Sequence, residues 1–126
     1  MKHILVVDDN DDVRDVIVET LREYRYRVSA APGGSAIRDF LQTGDRVDCV
    51  ILDALIPGEA SLSLVLHLNE HNIPVIIISG SPDRMRFAAD DGLQPLRKPF
   101  RLQELHSAVI AALGTGELGQ RSHGDG

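Results

Sequence analysis

Val50-Ile51-Leu52-Asp53-Ala54-Leu55-Ile56-Pro57-Gly58 is an apolar run that delivers one carboxylate and then breaks at a Pro-Gly turn. A short apolar run bounded by turn residues reads as a buried strand of a parallel sheet. Asp53 then falls at the strand's C-terminal end, the edge at which open α/β sheets bind ligands. Working outward, His3-Ile4-Leu5-Val6-Val7 is a second run of this kind and ends in the acidic burst Asp8-Asp9-Asn10-Asp11-Asp12. Pro74 to Ile78 is a third, followed by Ser79, and Leu93 to Leu96 is a shorter one, followed by Lys98-Pro99-Phe100. Residues 26 to 31 form a weaker strand signal.

Helical periodicity fills the gaps. Val13, Val16, Ile17, Leu21 and Tyr24 recur at three- and four-residue spacing behind Asn10, a good N-cap, with acids in the first turn. Ile37, Phe40 and Leu41 mark a second helix that Gly44 stops. Leu62, Val65, Leu66 and Leu68 mark a third, Ser81-Pro82 opens a short fourth with Met85, Ala88 and Ala89 inward, and Leu102, Leu105, Val109 and Leu113 mark the last. Five strands alternating with five helices predict an α/β fold, a doubly wound parallel sheet with helices on both faces. Its polar strand ends, Asp8 and Asp9, Asp53, Ser79 and Lys98, then share one edge, beside the switch point between the first and third strands.

The 126 residues carry 43% hydrophobic and 25% charged side chains, as an ordinary globular domain does. Thirteen basic residues against nineteen acidic ones give a net charge of -6, which argues against direct nucleic-acid binding. No apolar run approaches the roughly 18 residues of a membrane span. The single Cys49 cannot form an internal disulfide and sits among apolar neighbours, where it reads as a small buried hydrophobe. A cytoplasmic protein is expected. Residues 114–126 contain five glycines and one aliphatic residue, Leu118, so the reading is a domain over 1–113 and a flexible polar tail over 114–126.

Charge alone suggests the chemistry. Two carboxylates about 4 Å apart repel by on the order of 4 kcal/mol at an effective dielectric near 20, so three at one edge call for a cation. A hard divalent ion such as Mg²⁺, held by one or two carboxylates with water and phosphate oxygens, suits a shallow crevice. Lys98 can neutralise an oxyanion and Ser79 can donate to it. The set suits phosphoryl transfer to a carboxylate nucleophile.

From about Lys2 to Leu113 the chain resembles the bacterial response-regulator receiver domain of two-component systems, of the stand-alone, chemotaxis-regulator-like type. The resemblance is carried by the acidic pair, the Asp followed four residues later by Pro-Gly, the Ser79-Gly80 pair and Lys98-Pro99-Phe100. It implies the flavodoxin-like (βα)5 layout with strand order 2-1-3-4-5. It also implies that Asp53 accepts a phosphoryl group from a phosphohistidine on a sensor histidine kinase. Asp9 and Asp53 would ligate Mg²⁺ directly, Asp8 through water, with the Leu55 backbone carbonyl completing the protein's share. Lys98 would pair with the phosphoryl oxygens, and Ser79 would be the switch hydroxyl. Such a chain is not an enzyme acting on a separate substrate, since it catalyses only its own phosphorylation and dephosphorylation. Output would pass to a histidine phosphotransfer protein or a downstream protein target, or through a homodimer, by the face of the fourth helix, fifth strand and last helix.

Two departures stand out. Pro95 occupies the position of the family's aromatic switch residue, three before the lysine, and Ser61 replaces a usual glycine eight residues after the phosphoacceptor. Leu55 and Ser81 stand where the family tunes hydrolysis, and an apolar Leu55 predicts a slowly hydrolysing phosphorylated form. Rival readings fit less well. A haloacid-dehalogenase type phosphohydrolase needs D-x-D-x-T after the first strand, and here Val13 replaces the threonine. A phosphorylation-independent binding module is the remaining alternative, encouraged by Pro95. The D-x-N-x-D spacing at Asp8, Asn10 and Asp12 imitates a calcium loop but has Val13 where glycine is required. His67 and His71 share a helix face without a third ligand, and read as a solvated face.

Overall fold

The computed structural model describes residues 1–53, 67–79 and 94–125. In chain order the elements are β1 (His3–Val7), α1 (Asp11–Glu23), β2 (Arg27–Ala31), α2 (Ser35–Thr43), β3 (Cys49–Asp53), β4 (Val75–Ser79), β5 (Gln94–Arg97) and α3 (Leu102–Asp125). Residues 67–70 are helical as well, in keeping with the end of the third helix expected from the sequence. The strands form one parallel sheet in the order β2-β1-β3-β4-β5.

Both central strands, β1 and β3, are buried at every position. That explains why they are written as unbroken apolar runs, because helices cover both faces of the sheet. Alternate residues serve opposite faces. Leu5, Val7, Val50, Leu52, Val75 and Ile77 pack with Ile37 of α2 and with Leu68. Ile4, Val6, Cys49, Ile51, Ile76 and Ile78 pack with Ile17 and Leu21 of α1 and Leu105, Val109 and Ala112 of α3. Cys49 lies wholly inside this second layer, and burial pushes its thiol up to about 12. It is the small buried hydrophobe its neighbours predict.

The helix ends follow their local chemistry. Asn10 accepts the Val13 N–H at 3.0 Å and so caps α1. Gly44 ends α2 at φ +79°, a left-handed conformation that favours glycine. Strands three to five each end one residue past their last apolar side chain, Leu52, Ile78 and Leu96. Asp53 pairs with Ile78, and Ser79 with Arg97, because ladder bonds extend past the last apolar side chain. Pro95 stands in β5 opposite Ile77, on the outermost strand, where a missing ladder donor is tolerated.

The backbone of α3 stays helical to Asp125, where the glycine content suggested a flexible tail from Gly114. Each glycine disfavours a helix by about 1 kcal/mol relative to alanine, but it leaves the i to i−4 hydrogen bonds available. Among the described residues no helix is long and apolar enough to cross a membrane. The expected fourth helix, and Leu55, Pro57, Gly58, Ser61, Gly80 and Ser81, lie outside the described residues, as do the side chains of Ser79 and Pro95.

Candidate acidic site at the C-terminal edge of the sheet

β1 and β3 are neighbours in register, Val7 opposite Leu52, so the next residues, Asp8 and Asp53, emerge side by side. Asp9 follows immediately. One carboxylate oxygen from each of Asp8, Asp9 and Asp53 lies within 4.8 Å of the others. Asp8 and Asp53 are buried, whereas Asp9 is exposed. From the end of β5, Lys98 reaches across so that Nζ lies 3.4 Å from Asp8 Oδ2 and 3.7 Å from Asp53 Oδ2. The four residues singled out from the sequence for charge therefore meet. Ser79 reaches the same edge by its backbone position at the end of β4.

Each polar group of Asp8 has a partner. Its N–H donates to the Ala31 carbonyl at 3.2 Å, and its Oδ1 accepts the Asn10 N–H at 2.9 Å. Its carbonyl oxygen accepts from Arg14 Nη1 at 2.8 Å. Arg14 also pairs with Asp11 through Nη2 at 2.5 Å. The sequence pattern gave no warning of this arginine. The usable signal is geometric: helical side chains lean toward the N-terminus, so a long residue in the second turn can reach back to the preceding strand end.

Three carboxylates against one ammonium leave this edge with excess negative charge among the described residues. Burial makes that excess costly, because Coulomb repulsion rises as the effective dielectric falls. The donor set is all carboxylate oxygen, which suits a hard divalent cation and not a soft one. These residues could hold a metal ion, and they fit Mg²⁺.

A family model described as the response regulator receiver domain matches residues 4–110. An uncharacterized transcriptional regulatory protein of Bacillus subtilis, YrkP, is 33% identical over 114 residues, covering 87% of this chain and 48% of its own length. The crystal structure of a response regulator receiver protein from Burkholderia phymatum is 31% identical with a TM-score of 0.80, covering 90% of this chain and 96% of that one. A response regulator receiver domain protein from Clostridium thermocellum has a TM-score of 0.83 at 26% identity, covering 94% and 98%. The chain spans about half the length of curated relatives such as YrkP and Nodulation protein W of Bradyrhizobium diazoefficiens. Sheet order, acidic edge and family match agree, and the chain is a receiver domain of the two-component response-regulator family.

Proposed function

We propose that Asp53 is the phosphoacceptor of a switch driven by a sensor histidine kinase. The observation that carries this reading is the meeting of Asp8, Asp9 and Asp53 within 4.8 Å, beside Lys98 Nζ at 3.7 Å from Asp53 Oδ2. A carboxylate oxygen of Asp53 attacks the phosphorus of a phosphohistidine. The P–N bond breaks, its electron pair returns to the imidazole nitrogen, and an aspartyl phosphate results. Lys98 neutralises the transferred oxygens, and the Ser79 hydroxyl donates to them. Asp9 and Asp53 directly, Asp8 through water and the Leu55 carbonyl would hold Mg²⁺, which neutralises phosphoryl charge when bound. The chain acts on no separate substrate. Its phosphorylated state signals through protein contacts or hands the group to a histidine phosphotransfer protein.

Intact-protein mass before and after incubation with Mg²⁺ and acetyl phosphate tests this. One base-labile phosphoryl addition is expected, and none in the Asp53→Asn variant. No addition to the native chain, with no Mg²⁺ binding, would leave the phosphorylation-independent binding module as the better reading.

A further inference from the structure

Arg14 is a cation in the second turn of α1, close to a helix N-terminus where positive charge is disfavoured. Its side chain is nonetheless only 17% exposed, whereas its ion-pair partner Asp11 is 79% exposed. A salt bridge to so exposed a carboxylate contributes little, so it does not by itself account for holding the guanidinium down. The other contact does. Nη1 donates to the backbone carbonyl of Asp8 at 2.8 Å.

That carbonyl belongs to the peptide joining Asp8 to Asp9. On its far side the Asn10 N–H is held by Asp8 Oδ1 at 2.9 Å, and the Asn10 carbonyl accepts the Arg14 N–H at 3.0 Å. Asp9 is therefore the exposed residue between two pinned peptides. Fixing the planes before and after a residue fixes its backbone dihedrals, and with them the direction of its Cβ.

We propose that Arg14 is a positioning residue for the cation site: its guanidinium holds the Asp8 carbonyl and thereby aims the Asp9 carboxylate at Asp8 and Asp53. This rests on the reading of those three acids as the Mg²⁺ site. The sign of its effect separates it from plain electrostatics. A nearby positive charge weakens cation binding through space, so removing it would tighten binding. Removing a support of the ligands weakens binding, by about tenfold for typical outer partners of metal ligands.

The test is calorimetric titration of the full chain with MgCl₂, comparing native protein with Arg14→Met and Arg14→Lys. Methionine keeps an apolar stem and loses the donor. Its Kd is expected to rise about tenfold, with lysine restoring part of the loss. In the metal-free proteins, the Asn10 amide should exchange faster in Arg14→Met than in the native chain. With acetyl phosphate, the Mg²⁺ concentration giving half-maximal phosphorylation should rise while the rate at saturating Mg²⁺ holds. A merely structural role would lower thermal stability without moving that midpoint. An unchanged or tighter Kd in folded Arg14→Met overturns the proposal and leaves the phosphoacceptor reading intact. Failure of the native chain to bind Mg²⁺ overturns both. If the methionine variant does not fold, Arg14→Gln, too short to span to the carbonyl, replaces it with the same two outcomes.

Discussion

The two ends of the sheet are built on opposite electrostatic plans. At the N-terminal end, the Asp48 carboxylate accepts the His3 N–H at 2.8 Å and Arg46 Nε at 3.0 Å, and the Asp48 N–H returns to the His3 carbonyl at 2.8 Å. The buried His3 ring uses both nitrogens. Nδ1 lies 2.7 Å from the Arg46 carbonyl and Nε2 lies 2.7 Å from the Ser29 hydroxyl. Since a carbonyl only accepts, Nδ1 must carry a hydrogen. This end is complete without a ligand. The other end gathers three carboxylates around one lysine and has charge to spare. One end secures the fold, and the other, among the described residues, holds a like-charge strain that a bound cation would relieve.

The largest expected effect is at the complete end. Asp48→Ala strips the charged acceptor from the His3 N–H and Arg46, and should lower stability by about 2–3 kcal/mol in urea denaturation. A loss below about 0.5 kcal/mol, typical of plain surface sites, would break the contrast. At the strained end the sign reverses. Asp53→Asn removes a like charge and should raise stability by about 1 kcal/mol in metal-free buffer. Added Mg²⁺ should then stabilise the native chain more than the variant, because binding to the folded state adds stability by mass action.

Acid sharpens the same comparison with a smaller effect. Burial alone would raise the Asp48 carboxyl, but the His3 N–H, the Arg46 hydrogen bond and the Arg46 and Lys2 charges together hold it below its ordinary 3.8. A group lowered on folding contributes stability that is whole above the unfolded value and fades as pH falls through the folded one. Unfolding free energy should therefore decline below about pH 4, and less steeply in Asp48→Asn. Equal slopes for the two proteins in chemical denaturation across that range would remove Asp48 from the account.

The strained end was far more legible in the sequence than the complete one. Asp8, Asp9, Asp53 and Lys98 could be brought together because each stands just past an apolar run, and parallel topology puts such positions on one edge. No pattern announces the His3, Ser29, Arg46 and Asp48 network. Its contacts span 26, 43 and 45 positions, and they depend on registers such as Leu5 opposite Ser29. His3 read simply as the first residue of an apolar run, and Asp48 stands two positions ahead of the run that begins at Val50. Arg14 escaped for a different reason, since its partner is a backbone carbonyl, which every residue possesses.

The contact between Lys98 and Asp8 joins residues ninety positions apart. A chain made from its N-terminus exposes the acids of β1 and β3 long before the lysine that steadies them exists. Strands one to three, assembled alone, would bring Asp8 and Asp53 together without the ammonium that lies against both, a state disfavoured by like-charge repulsion. The sheet is thereby pushed toward closing in one concerted event, with β5 as the clasp. Asp53 therefore gains its lysine neighbour only once β5 has joined the sheet.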